Sequence, residues 1–378
     1  MEHDEFFLSR ALELAWRGRF TTSPNPNVGC VIVRDERIVG EGYHQRPGDP
    51  HAEIYALRWA GKAARGATAY VTLEPCSHYG RTSPCTDALI NAGIVRVVAA
   101  MIDPNPQVAG RGFCKLEQAG IALRHGLMLP EAEAVNPGFL KRMRTGFPWV
   151  RLKLAASLDG RTAMASGESK WITSSEARCD VQRWRAESDA ILSTAATVMA
   201  DDPALTVRWQ SLPEDVQNLY PEEQLRQPVR IIIDTANRVT PSHVVAQQKE
   251  GQTWLARLDP DDLPWPASVS QLKIPANEKT GATHIDLMVL MMQLGRRQIN
   301  SLWVEAGASM AGALLSSRLV DELILYQAPK LLGSNARPLC LLPGLQKLSA
   351  APEFTLLDIR QIGPDIRLRL KPGNSALN

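Results

Sequence analysis

His51-Ala52-Glu53, followed downstream by Pro75-Cys76-Ser77-His78-Tyr79-Gly80-Arg81-Thr82-Ser83-Pro84-Cys85, is the part of this 378-residue chain from which its first half can be read. His51, Cys76 and Cys85 supply one imidazole and two thiolates, a three-ligand set for zinc that leaves the fourth tetrahedral position open for water. Zinc sites with an open position are catalytic ones. Two thiolates also cancel the charge of the ion, so the site can be buried without a large net charge. Glu53, two residues after His51, is expected to face the same cavity as the catalytic acid and base without binding the metal.

The H-x-E and P-C pattern is the one used for zinc-dependent hydrolytic deamination of an amidine-like ring carbon. Its usual second half places two residues between the cysteines, whereas eight, Ser77 to Pro84, stand between them here. Taken singly, His and Cys residues are more often buried packing groups than ligands. A structural zinc site would need a fourth protein ligand, for which His78 is the obvious candidate.

The flanking sequence supplies α/β elements. Phe7, Ala11, Leu14 and Ala15 share one helical face that Gly18 would end. Val28 to Val33 and Ile38 to Gly42 form a hairpin pattern around Arg34-Asp35-Glu36-Arg37. A helix is expected near Asp49-Pro50-His51 with Asp49 as its cap. Tyr70 to Leu73 reads as a strand, Thr86 to Asn91 as a helix stopped by Gly93, and Val95 to Met101 as a buried strand. These elements make an α/β sandwich of about the first 145 residues. Thr145-Gly146-Phe147-Pro148 marks a boundary, giving domains 1–146 and 147–378. Trp149 to Leu154, Ala190 to Leu192, Val229 to Asp234, Thr253 to Ala256, Leu302 to Val304 and Leu323 to Tyr326 are strand candidates of the second half. Gln210 to Gln227, rich in Pro, Glu and Gln, reads as a surface insertion without a core.

Composition narrows the function classes. Lys and Arg number 42 against 40 Asp and Glu, a net charge of +2, so electrostatic affinity for nucleic acid or membrane is not expected. No apolar stretch approaches the ~20 residues that cross a bilayer. The acidic start Met1-Glu2-His3-Asp4-Glu5 shows no secretory pattern, and six cysteines are too sparse for a disulfide framework, so a cytosolic location is expected. A homo-oligomer stays open. The competing readings are a base deaminase acting on polynucleotide, which would need a basic groove with stacking aromatics, and a zinc-stapled binding module fused to a lone reductase.

The Pro75 to Cys85 string resembles the zinc loop of the bifunctional riboflavin-biosynthesis deaminase/reductase family, for which the long cysteine spacing is characteristic. Ser23-Pro24-Asn25-Pro26-Asn27-Val28-Gly29 and Gly42-Tyr43-His44 match it upstream. Leu152-Lys153-Leu154-Ala155-Ala156-Ser157-Leu158-Asp159-Gly160 and Asp201-Asp202-Pro203-Ala204-Leu205-Thr206-Val207-Arg208 resemble its reductase half. The likeness spans nearly the whole chain, departing at Ser83, where the family commonly has Pro, and at the Gln210 to Gln227 insertion.

The resemblance implies a cytidine-deaminase-like α/β/α sandwich followed by a dihydrofolate-reductase-like α/β domain, with Zn²⁺ and NADPH as cofactors. The implied activity is deamination of a diaminopyrimidinone carrying a ribosylamino 5′-phosphate to the aminouracil, then reduction of ribosyl to ribityl. Asn25, His44, His78 and Arg81 become pocket residues of the first site, with Arg81 suited to the phosphate. Ala155, Trp171, Thr197, Asp201, Thr235 and the turn Gly307-Ala308-Ser309-Met310-Ala311-Gly312-Ala313 would contact NADPH. Ser169, Arg185, Leu205, Arg208 and Glu305 would contact the sugar phosphate, the two arginines converging on one anion, and Lys153 would polarise or protonate the oxygen at the reduced carbon.

Other readings of the same residues are structural. Small residues from Gly307 to Ala313 also suit tight helix packing, and they lack the endings of a P-loop or a Rossmann turn. Trp171 would otherwise be a core residue and Asp201 a helix-end cap.

Overall fold

Close approaches at two glycines set how the first layers stack. A Cβ at Gly29 would lie 1.9 Å from the Ala11 carbonyl oxygen, and one at Gly42 would lie 2.4 Å from that of Ala52, so a helix rests directly on the hairpin at each position. The computed structural model describes residues 2–77, 84–106, 109–278 and 284–373. The chain divides into two units, Met1–Gly146 and Phe147–Asn378.

The first unit runs α1 (Glu2–Arg17), β1 (Gly29–Arg34), β2 (Arg37–Tyr43), α2 (Ala52–Ala60), β3 (Thr68–Val71), α3 (Cys85–Asn91), β4 (Arg96–Ala99), α4 (Arg111–Gln118), β5 (Ala122–His125), α5 (Leu129–Val135) and α6 (Pro137–Thr145). Its sheet order among the described residues is β2-β1-β3-β4-β5, with β1 antiparallel to β2 and β3 and the rest parallel. Asp35 and Glu36 both take positive φ, 50° and 59°, as a two-residue turn matched to strand twist requires. Alternation along β1 then sorts the core. Val31 and Val33 pack with Phe7, Leu8 and Ala11 of α1, while Cys30 and Ile32 pack with Ala52, Ala56 and Ala60 of α2.

Two expectations about this unit need correction. The helix expected at Asp49-Pro50 begins at Ala52; His51 is its extended N-cap residue and no side chain among the described residues caps it. The strand expected from Val95 starts at Arg96, and Val95 itself is exposed. In both cases the chain turns later than the local signal, because burial of Ala52 and Val97 decides where regular structure starts.

The second unit runs β6 (Trp149–Ser157), β7 (Arg161–Ala163), α7 (Ser175–Glu187), β8 (Ala190–Thr194), α8 (Ala195–Asp201), α9 (Glu214–Gln217), β9 (Val229–Ile233), β10 (Thr253–Arg257), β11 (Val269–Lys273), α10 (Leu287–Arg296), β12 (Ser301–Glu305), α11 (Ala308–Ser316), β13 (Glu322–Ala328), β14 (Arg337–Pro338), β15 (Phe354–Ile362) and β16 (Asp365–Pro372). Its large sheet, among the described residues, has the order β11-β10-β9-β8-β12-β6-β13-β16-β15. The pairings from β11 to β13 are parallel, and the last two strands close one side as an antiparallel hairpin. Parallel strands covered on both faces need continuous apolar sequence. Accordingly Leu152, Leu192, Ile231 and Val304 face one core while Ile191, Ile232 and Trp303 face the other.

The segment Gln210 to Gln227 does contribute a core, contrary to the expectation from its composition. Leu212, Val216 and Tyr220 are buried. Trp209 Nε1 donates to the Tyr220 carbonyl at 2.7 Å, and the Gln227 amide exchanges two hydrogen bonds with the Val207 backbone, both at 2.9 Å. The apolar residues recur every fourth position, a pattern that the surrounding Glu, Gln and Pro obscure. No helix of the described residues is long and apolar enough to cross a membrane.

Candidate functional site

His51, Cys76 and Cys85 arrive from three different elements. His51 stands before α2 with φ −73° and ψ 166°, Cys76 follows the exit from β3, and Cys85 opens α3 after Pro84. His51 Nδ1 lies 3.2 Å from Cys85 Sγ and 3.5 Å from Cys76 Sγ, and the three ligand atoms fall within 4.8 Å of one another. Zinc with bonds of about 2.0 Å to nitrogen and 2.3 Å to sulfur places tetrahedral ligands about 3.5 Å apart, so these residues fit the ion. The Cys85 amide donates to Cys76 Sγ at 3.4 Å, which favours the thiolate. Hydrogen bonding from Cys85 and His51 holds Cys76 down at about 4, and the bond to Cys76 lifts His51 to about 9.

Glu53, on the first turn of α2, is buried, and its Oε2 has no hydrogen-bond partner among the described residues. Burial pushes this carboxyl up, against the opposing pull of the His51 charge. An unpartnered carboxylate oxygen beside an imidazole and two sulfurs is costly unless substrate or water uses it. His44 is also buried, 5.4 Å ring to ring from His51 and edge-on to it. Its Nδ1 lies 3.2 Å from the Pro50 carbonyl and its Nε2 3.0 Å from Asn25 Nδ2. Those partners assign a neutral ring that donates from Nδ1 and accepts at Nε2; burial, which lowers its basicity, agrees. Asn25 and His44 thus stand together beside the triad. His78 and Arg81 lie outside the described residues.

In the second unit the parallel register sets Glu305 of β12 opposite Lys153 of β6. Arg185, near the end of α7, grips Glu305 with Nε and Nη2 at 2.6 and 2.8 Å, and its Nη1 donates to the Thr206 carbonyl at 2.9 Å. Burial would raise the Glu305 carboxyl, but the charge and hydrogen bonds of Arg185 bring it down to about 2. Burial pushes the Lys153 amine down, opposed by Glu305. The two arginines therefore do not converge as equals, because Arg185 is engaged by Glu305 while Arg208 is exposed.

Sequence reasoning missed Trp303, whose Nε1 donates to Glu305 Oε1 at 2.7 Å. The available signal was its position two residues before Glu305 on one strand, which puts both on one face.

Thr197, Thr235 and Gly307 follow β8, β9 and β12 at the carboxyl ends of parallel strands, where open α/β sheets bind ligands. Ala155 lies on β6 itself. Lys170, between Ser169 and Trp171, pairs with Asp201 at 3.2 Å and so joins that segment to the end of α8. Trp171 is exposed with the Arg178 guanidinium 4.6 Å above its ring, so it is no core residue. Asp201 is the last residue of α8 and not its cap: Thr194 caps the start and Asp202 stands at the end.

Packing narrows two assignments. The Leu205 side chain is buried in the core beside Ile191 and Trp303, with φ +50°, so a ligand there would meet its backbone. Within the turn, Gly307, Ala308, Ser309 and Met310 lie toward the strand end, Ala311 is in the core, and Ala313 packs against it. A Cβ on Gly312 would fall 1.7 Å from the Leu341 carbonyl oxygen, whereas one on Gly307 meets nothing within 4 Å among the described residues. Tight packing therefore accounts for Gly312. Gly312→Ala is expected to cost the second unit about 1–3 kcal/mol from overpacking, read by urea denaturation, and Gly307→Ala much less.

Residues 148–368 match the family model described as the RibD C-terminal domain, and residues 1–101 match that of the cytidine and deoxycytidylate deaminase zinc-binding region. The riboflavin biosynthesis protein RibD of Escherichia coli is 66% identical over 97% of this chain and 99% of its own length. The chain belongs to the RibD family. Among solved structures, Acinetobacter baumannii RibD is similar at a TM-score of 0.89 with 45% identity, covering 99% of each chain. A Thermotoga maritima protein described as a diaminohydroxyphosphoribosylaminopyrimidine deaminase/5-amino-6-(5-phosphoribosylamino)uracil reductase matches at 0.84 with 31% identity, over 98% of this chain and 99% of that one. Membership of the RibD family gives the two halves their fold classes, a cytidine-deaminase-like sandwich and a dihydrofolate-reductase-like domain.

Proposed function

We propose that this RibD family member catalyses two successive steps of riboflavin biosynthesis, with the deaminase site in residues 1–146 and the reductase site in residues 147–378. The first converts 2,5-diamino-6-ribosylamino-4(3H)-pyrimidinone 5′-phosphate and water into 5-amino-6-(5-phosphoribosylamino)uracil and ammonia. The second uses NADPH to reduce the ribosyl group to ribityl. The observation that carries the reading is the convergence of His51, Cys76 and Cys85 beside the unpartnered buried oxygen of Glu53.

Zinc, when held by those three ligands, supplies the Lewis acidity that activates water. Glu53 accepts the proton of the attacking water and returns it to the departing nitrogen, and burial raises its pKa toward the range useful for both transfers. Neutral His44, fixed by Pro50 and Asn25, offers shape and hydrogen bonding without adding charge.

NADPH, when bound, supplies the hydride, so the residues of the second site orient and stabilise. Lys153 carries the proton for the sugar oxygen, the exposed Arg208 meets the phosphate, and the Arg185–Glu305 pair frames the pocket. Positioning of this kind supplies much of the rate in hydride transfer. None of the six cysteines is joined in a disulfide, which supports a cytosolic setting. The near-even charge supports small phosphorylated pyrimidines rather than nucleic acid or membrane as partners.

Ammonia release and NADPH oxidation followed in parallel on the phosphorylated pyrimidine test both halves. Removing the metal with a chelator is expected to abolish ammonia release, with recovery on adding zinc, and to leave NADPH oxidation on the deaminated intermediate unchanged. Ammonia release that survives complete metal removal would sink the deaminase reading. A steep salt dependence with single-stranded polynucleotide as the better substrate would favour the nucleic-acid alternative.

A further inference from the structure

Glu74 immediately precedes the Pro75-Cys76 pair, and its carboxylate is buried. Its Oε2 accepts the amides of Asp103 at 3.2 Å and Gly110 at 2.9 Å, and its Oε1 accepts the amide of Gly112 at 2.9 Å. Three backbone donors from beyond β4 thus end on a single side chain. The same contact is tight on its other side, since a Cβ on Gly112 would lie 2.1 Å from the Pro75 carbonyl oxygen. That oxygen belongs to the peptide bond leading into Cys76, so the start of α4 presses on the peptide plane that aims a ligand sulfur.

We infer that Glu74 is a positioning residue of the deaminase site, tying the Asp103 and Gly110–Gly112 backbone against the Pro75–Cys76 peptide and thereby fixing the Cys76 sulfur. This rests on the zinc reading of the triad. A glutamine has one carbonyl oxygen and one amide group, and the amide group must face at least one backbone N–H, donor against donor. Loss of the clamp loosens one ligand of three without touching the substrate. Supporting groups around metal ligands typically change metal affinity or activity by about 10- to 100-fold.

The experiment compares full-length wild type, Glu74→Gln and Gly112→Ala, each loaded with zinc. Metal content of the wild type is measured first; a wild type that binds no zinc overturns the deaminase reading itself, whatever Glu74 does. Zinc transfer to a chromogenic chelator is then timed, kcat and KM for ammonia release are separated, and NADPH oxidation serves as the internal control. Both variants are expected to surrender zinc about 10- to 100-fold faster and to lose kcat with little change in KM, while NADPH oxidation stays at the wild-type rate. Folded Glu74→Gln protein with wild-type zinc release and kcat overturns the proposal. If Glu74→Gln does not fold, Gly112→Ala is judged by the same criteria. Unfolding of the first unit in both variants also overturns it, because the contact would then hold the fold rather than the site.

Discussion

Glu53→Gln is expected to stop ammonia release while NADPH oxidation on the deaminated intermediate proceeds at the wild-type rate. Glutamine keeps the size of the side chain and removes its ability to take a proton. Positioned acid–base catalysis is worth about 10²- to 10⁴-fold, and a loss of that order in kcat is the expected reading. The variant should still bind zinc, because Glu53 is not one of the three converging ligand groups. Parallel assays on one preparation, with metal content measured, decide the matter. Retained ammonia release would remove Glu53 from the mechanism, and loss of both activities would contradict independent sites.

Glu305→Gln should damage the second unit severely. Arg185 would keep its buried position and lose the carboxylate that answers its charge, and breaking a buried pair from one side costs about 3–5 kcal/mol. Urea denaturation of the full chain, followed by loss of NADPH oxidation and by a structural signal, measures it; a change below about 1 kcal/mol would show that the pair is not the keystone its geometry suggests. The pH dependence has a definite sign. The folded-state value of Glu305 is about 2 against an ordinary 4.5, so the pair's contribution is complete above the ordinary value and is lost as pH falls toward 2. The variant should lack that acid-side loss.

Much of this arrangement was legible because its chemistry is local in sequence. His51 and Glu53 are two residues apart at one helix start, and Pro75-Cys76 and Pro84-Cys85 each pair a ligand with a backbone constraint. The apolar runs of the parallel strands were equally plain. Long-range contacts were not. Glu74 looks like any acid after a strand until amides some thirty residues later are seen to end on it. β15 and β16 were missed because this hairpin mixes charge with apolar residues: in β16, which lies between β13 and the edge strand β15, Arg367 and Arg369 sit among Ile366, Leu368 and Leu370, and answer Asp180 and Glu322. The segment after Trp209 showed its polar majority and hid the three residues that it buries.

The place of β6 in its sheet bears on how the protein is made. β6 is the first strand of its unit, yet both of its neighbours come late: Trp149 pairs with Ser301, and Arg151 with Glu322. On the ribosome this strand emerges well over a hundred residues ahead of either neighbour, while the first unit already holds every strand that it needs. Until β12 and β13 leave the exit tunnel, an apolar strand waits with both edges open. Newly made chains are therefore most exposed to misassembly and most in need of chaperone cover during synthesis of the second half.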